Sequence, residues 1–475
     1  MVALVAVFLV AAWAGWFASM RVGGEPVQRF DAVERLNELA ASWQPEGANA
    51  WPVYERLSEW HRLGQLNDLP DWEELLTLDM WLTWRDLSQY GFPRSGAWDD
   101  PLWDHRRTMV EMLVPVLRLL DVAADAPRMH IHHQSPTLDE VLRDDNFYYF
   151  TLRNIAMLNA SAMRAAAEAG DWDEHLQRFR TGVAMARHLS LRPLIIDHMV
   201  SIAIGVQAHR ELQQQLMELE FPAEVCEKLL QTLTELRWPA GDPAALFDGE
   251  RIWREDWIQR AFSDDGRGGG HFLAWTMPPW TPMNTPFEDL SAPPLRRLLA
   301  LSPDALRTPS RKHTERAIEL EFTTLERVMR GEVGDQEAIN IIDGAKRPFM
   351  HLDEDFSETL LPAAEQHRLY LTIQATTEAM LRMALHKART GAWPRTLNEA
   401  MSEAEALEPV SGEPFRYVYA PQVDEHERPF LLMAPDAYPF RSTLREWPVL
   451  NQSRFPISDW MRREEELRRE QMEEE

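Results

Sequence analysis

The chain has 475 residues, enough for two or three domains or for one large helical body with a substantial core. Asp and Glu total 76 against 49 Lys and Arg, a net charge of −27, which argues against nucleic acid as a partner because no basic surface displaces its counterions. The single cysteine, Cys226, excludes an internal disulfide and any multi-cysteine zinc motif. Only four basic residues are Lys (Lys228, Lys312, Lys346 and Lys387), a bias that fits a GC-rich genome and a salty habitat. Of the 19 Trp, ten precede residue 104, and they read mainly as anchors of a helical core.

Met1 to Met20 carries no charge, and twenty helical residues just span a bilayer core of ~30 Å. Trp13 and Trp16 stand toward its C-terminal end, where aromatic side chains favour the interface. Ala12-Trp13-Ala14 fits a small-x-small cleavage pattern, but cleavage there leaves too short a leader and no basic region precedes the apolar run. The segment therefore reads as an uncleaved signal anchor of an inner-membrane, single-pass protein. Arg21, Arg29 and Arg35 pull the following side toward the cytoplasm. A large acidic part behind one N-terminal span points instead to the periplasm, and that orientation is the expectation.

From Pro26 to about Gln259 the sequence predicts consecutive amphipathic helices within a body spanning residues 21–262. Asp71-Trp72-Glu73-Glu74, Thr137-Leu138-Asp139-Glu140 and Asp171-Trp172-Asp173-Glu174 each read as a capping box, the first side chain taking an orphan N–H and the acid reaching back. In Phe147–Ser190, Leu152, Ile155, Ala162 and Ala166 line a first helix, Gly170-Asp171 breaks it, and Trp172, Leu176, Phe179, Val183 and Ala186 line a second. This unit is tetratricopeptide-like. Gly241-Asp242 and Gly334-Asp335 repeat its turn at spacings that fit no fixed period, so the expected fold is mainly α, an irregular array of helical hairpins. A nearly apolar helix, Leu194 to Val206, follows and must be buried on most sides.

Residues 263–295 form a Gly/Pro/Trp-rich loop in which Phe272, Leu273, Trp275, Met277 and Trp280 are costly to expose. The loop is expected to pack over the body as a belt; dipping into the membrane interface or a partner is the alternative. The helical body continues over 296–389, with helices over Pro303–Arg330 and Glu358–Ala388. Residues 441–475 form a tail whose Glu464, Glu465, Arg468 and Arg469 pair at i,i+4 on a solvated helix.

No HExxH, GxSxG, SxxK or Walker-type segment is present, and no cofactor is implied. His130-Ile131-His132-His133 is the best metal candidate, since residues two apart in an extended segment face one side and His130 and His132 can share an ion. Two ligands do not make a site, so hydrogen-bonded loop histidines are the simpler account. His198 and His209, eleven residues apart around Gly205, read as buried, partnered histidines.

Near the end a long helix runs into Gly391-Ala392-Trp393-Pro394-Arg395-Thr396-Leu397, then Pro409-Val410-Ser411-Gly412-Glu413-Pro414-Phe415-Arg416-Tyr417. Gly391 suits a left-handed C-cap, Pro394 blocks the helix, and Phe415, Tyr417 and Tyr419 alternate on a strand that Phe430–Met433 can join as a hairpin. This module, residues 390–440, resembles the segment after the long helix in type II secretion pseudopilins. It is equally similar to the C-terminal module of a large set of uncharacterised, membrane-anchored bacterial helical proteins, which the Asn159–Gln207 region also resembles. The first twenty residues lack the Glu and cleavage motif of pilin assembly, and Val410 and Ser411 stand where pseudopilins often carry an acid, so no functional residue carries over. The resemblance implies a membrane-anchored helical protein with a small α+β end.

Two functions lead, ahead of a third, a metal-dependent hydrolase using the His130 and His132 neighbourhood. The first is a scaffold that offers its helical surface to another envelope protein. The second is an envelope glycan-active enzyme with a Trp-lined cleft and paired carboxylates ~5–9.5 Å apart.

Overall fold

The structure is a computed structural model and describes residues 26–66, 103–237, 243–264, 270–273, 310–346, 356–419 and 429–435. Among these, twelve α-helices and one two-stranded antiparallel sheet are present. The apolar segment 1–20, the box at Asp71, Trp275, Trp280 and the tail from 441 lie outside the described residues. No helix among the described residues is long and apolar enough to cross a membrane.

The first half comprises α1 (Ala32–Trp43), α2 (Trp51–Leu66), α3 (Trp103–Met112), α4 (Val114–Ala124), α5 (Leu138–Ala169) and α6 (Trp172–Ser190). Thr137 caps α5, accepting from the Glu140 N–H at 3.3 Å, and Asp171 caps α6, accepting from Glu174 N–H at 3.1 Å. Gly170 turns between the two helices at φ 71°, as the Gly-Asp break predicts. One expectation fails here. Glu174 does not reach back to its cap; its carboxylate lies 3.1 Å from Arg178 and 3.4 Å from Arg118, because a guanidinium is a stronger partner than a neutral N–H.

α7 (Ile195–Glu218) is the central helix, packed against α5, α6 and a helix from far along the chain, α12 (Phe356–Thr390). The close approach of α7 and α12 depends on Gly205, since a methyl there would sit 2.6 Å from the Tyr370 ring. α8 (Ala223–Glu235) packs on α12 and α6 and buries its own Cys226. α9 (Asp248–Ala261), α10 (Arg311–Met329) and α11 (Asp335–Lys346) form a further group around Phe247, Phe262 and Phe322. Of the Gly/Pro/Trp-rich loop only 263–264 and 270–273 are described: Phe272 and Leu273 are buried, and Leu273 N–H donates to Ala261 C=O at 2.6 Å.

After α12, Gly391 takes φ 85° and its N–H donates to Lys387 C=O at 2.8 Å, closing the helix as expected. β1 (Arg416–Tyr419) and β2 (Phe430–Met433) pair antiparallel, with Tyr419 opposite Phe430. Phe415, Phe430 and Leu432 join one hydrophobic cluster with α8 and α12 residues such as Leu229 and Met380, so the module is part of the helical core.

Candidate functional site

The extended segment Arg128–His133 is held by amide side chains. Asn49 Nδ2 donates to His130 C=O at 2.8 Å while its Oδ1 accepts from His130 N–H at 2.9 Å. Asn37 brackets His133 in the same way at 2.9 Å each, and Gln44 Oε1 accepts from Met129 N–H at 3.0 Å. These bonds replace a neighbouring strand and satisfy an otherwise unpaired backbone. His132 is exposed and His130 half-buried. No group of three or more His, Cys, Asp or Glu among the described residues is placed to hold a metal ion. The inward-facing member is His133, whose Nε2 lies 3.3 Å from Arg192 Nη2 and accepts from it as the neutral tautomer. Burial, then Arg192, lowers the His133 pKa to about 3.

Arg192 opens a buried knot at the start of α7. Its Nε is 3.1 Å from Asp197 Oδ1, and its guanidinium lies 5.2 Å from the Tyr148 ring centroid. Tyr148 and Tyr149, neighbours on α5, donate to the same Asp197 oxygen at 2.9 and 2.8 Å. Leu194, at the N-cap of α7, offers no capping side chain; Glu250 supplies the acceptor from α9, taking the Ile195 N–H at 3.1 Å. Burial raises the carboxyl pKa of both Asp197 and Glu250, against the lowering effect of Arg192 on the first and of the Ile195 hydrogen bond on the second. The adjoining cavity, lined by Leu36, Ala40, Met129, Ile131, His133 and Arg192 among others, measures about 10 Å³. That is room for about one water and for no substrate.

A second polar seam runs along the other half of α7. Trp103 Nε1–H donates to Glu168 at 3.1 Å, and the Arg164 guanidinium sits 4.4 Å over the Trp103 ring and 3.5 Å from Glu168. Glu211, half-buried on α7, accepts from Gln215 at 3.1 Å; burial raises its pKa while Arg164 lowers it. His175 lies 2.7 Å from the same Gln215 amide, and burial lowers the imidazole pKa to about 4. The seam gathers a Trp and two carboxyls, but Glu168 and Glu211 are already engaged by indole, amide and guanidinium groups. On the outside, a groove of about 360 Å³ lies between α1 and α9, lined by Arg35, Glu38, Ser42, Asp248, Arg251 and others. Its arginines are in ion pairs, Arg35 with Glu255 at 2.5 Å and Arg251 with Glu319 at 2.6 Å.

His198 and His209 are both buried, as expected. His209 Nδ1 is 3.1 Å from the Thr377 hydroxyl on α12, and the ring meets Phe179 and Tyr370 edge-on. In the C-terminal module, Glu408 is fully buried and accepts from Thr372 Oγ1 at 2.7 Å and Ser411 N–H at 2.6 Å. A carboxylate therefore organises that turn. Arg192, Asp197, Glu250 and Glu408 were not singled out by the sequence. The available signal was a lone Arg and Asp flanking the apolar start of α7, charges that burial obliges to be paired.

No family model, curated protein or solved structure matches this chain.

Proposed function

We propose that the chain is a membrane-anchored helical scaffold of the bacterial cell envelope, held by residues 1–20 and presenting its body in the periplasm to another envelope protein. The observation that carries this reading is the uncharged twenty-residue apolar stretch ahead of a large helical body. Closed polar clusters favour it over an enzyme, because the Asp197 knot is sealed and the Glu211 seam engages its own carboxylates. The α5–α6 hairpin is of the tetratricopeptide-like kind, and exposed apolar side chains such as Val122, Phe150, Leu320, Val418 and Tyr419 offer contact area. The resemblance of the C-terminal module to that of membrane-anchored helical proteins adds to it. Fractionation of the full chain and of a chain lacking residues 1–20 tests the anchor: the first is expected with membranes, the second released. Cross-linking on those membranes is then expected to capture a defined envelope protein. Release of the full chain by high salt would defeat the reading.

The Trp103–Glu168–Glu211 grouping favours a second reading, an envelope glycan-active enzyme. Hydrolysis of cell-wall glycan by the purified chain, abolished in Glu211→Gln, would establish it; no turnover would remove it.

A further inference from the structure

The chain enters the described body at Pro26, which pairs antiparallel with Ser263 just past the end of α9. The strap Pro26–Phe30 is then tied down along its length. Gln259 Oε1 accepts from Arg29 N–H at 2.9 Å, and its amide donates to Phe30 C=O at 3.0 Å. The Arg29 guanidinium lies 2.7 Å from Asp264 and 3.8 Å from Glu315 on α10. Arg311, buried at the start of α10, pairs with the same two acids at 3.6 and 2.9 Å. Its backbone N–H donates to Gly270 C=O at 2.8 Å. Gly270 crosses so close to Ser263 that a methyl would sit 1.6 Å from the Ser263 carbonyl oxygen. The strap, the end of α9 and the start of α10 are thereby one knot, and nothing in the scaffold role uses it.

Covalent geometry limits how far this knot stands from the anchor. Met20 to Pro26 is six residues of chain, at most ~22 Å when fully extended. The body is longer than that. Leu360, near the start of α12, shares a hydrophobic cluster with Phe262, the neighbour of Ser263. Ala384, toward the end of α12, shares another with Phe415 and Phe430 of the C-terminal module. Those 24 residues of helix rise about 36 Å. The module is thus farther from the knot than the knot is from the anchor.

Charge favours the same end. Arg29 and Arg311 neutralise Asp264 and Glu315, and the exposed Lys312 and Arg316 on α10 offset Asp31 and Glu34 on α1. Charges beyond ~8 Å are screened at physiological salt, so the chain's −27 does not push this end from anionic headgroups. Val27, in the strap, is 43% exposed and adds apolar contact there.

With residues 1–20 as the anchor proposed above, we infer that the strap fixes the α9–α10 end of the body against the lipid headgroups. The C-terminal module then points away from the bilayer, and its exposed Val418 and Tyr419 lie on the side open to a partner protein.

Fluorophores read this orientation in the full chain, reconstituted into vesicles of phosphatidylethanolamine and phosphatidylglycerol with nitroxide-labelled headgroups as quencher. The native Cys226 is buried and does not compete for label. His313→Cys carries the label on α10 beside the knot, and Ala388→Cys carries it at the far end of α12, both at exposed positions. Loss of most emission at 313 and none at 388 is expected. Lys312→Cys, exposed on the same turn, repeats the near-side measurement with the same expected loss. Resistance to alkaline carbonate shows whether the chain is integrated. In an integrated chain, equal quenching at 313 and 388, stronger quenching at 388, or none at 312 and 313 would each overturn the inference and leave the anchor standing. A chain washed off by carbonate would overturn both.

Discussion

The two halves of α7 solve the same problem in opposite ways. Its N-terminal half buries formal charges, Asp197 against Arg192 with Glu250 at the helix end. Its C-terminal half, apart from the half-buried Glu211, relies on neutral polar groups, His209 and Gln213 on the Thr377 hydroxyl and Gln215 on His175. A buried ion pair is demanding because removing one partner strands the other, whereas a lost amide or imidazole hydrogen bond forfeits far less. The charged half ties together α5, α7 and α9; the neutral half seals α7 against α6 and α12. The difference separates a junction held by buried charge from one held by packing and neutral hydrogen bonds.

Acid is the strongest way to break the comparison. Burial lowers His61, His175, His188 and His367 to about 4, and His198 and His209 to about 3. The unfolded chain takes up protons on these imidazoles below about pH 6.5 and the folded chain does not, so their contribution is complete above that pH and drains away toward pH 4. Each contributes a loss of up to about 1.4 kcal/mol per pH unit across that window. Asp197, Glu211 and Glu250 act in the opposite sense, since their raised values make the folded chain the better proton acceptor, but they are outnumbered. The urea midpoint is expected to collapse between pH 6.5 and 5. A midpoint unchanged over that range would show that these imidazoles are not shielded.

Asp197→Ala comes next in size. It leaves Arg192 and two tyrosine hydroxyls without their acceptor, and a loss of about 3–5 kcal/mol in urea denaturation is expected. A loss under about 1 kcal/mol would place the knot in contact with water. Gly205→Ala acts at the middle of the helix, where the new methyl meets the Tyr370 ring; about 1–3 kcal/mol is expected from overpacking. An unchanged thermal midpoint would mean that α12 can shift away from α7. Thr377→Val sharpens the neutral half with the smallest effect, about 1 kcal/mol, because Gln213 keeps its bond to Ile373 C=O at 3.2 Å. Equal losses for Asp197→Ala and Thr377→Val would erase the distinction between the halves.

Local devices were legible in the sequence because they depend on neighbours within a turn. The Thr137 and Asp171 caps, the left-handed turns at Gly170 and Gly391, and the pairing of Phe430–Met433 with the strand through Tyr417 and Tyr419 are all of this kind. Candidate chemistry was read less well. The histidine run drew attention to His130 and His132, whereas the side chain that joins the buried network is His133. Asp197 was absorbed into an apolar helix, since one acid in such a run leaves little periodic signal. Glu250 lies 55 residues from the amide it caps, a pairing no spacing rule encodes. Glu408 likewise finds Thr372 across 36 residues.

The sequence by itself determined the helical character, the helix ends, the acidic surface and the presence of an apolar N-terminal segment, because propensity, capping and charge act within a few residues. Tertiary structure alone decided which charges are sealed together. Desolvation is a property of everything packed around a group, and for Asp197 the atoms that remove water come from α5, α7 and the turn before it, separated by up to about fifty residues of chain.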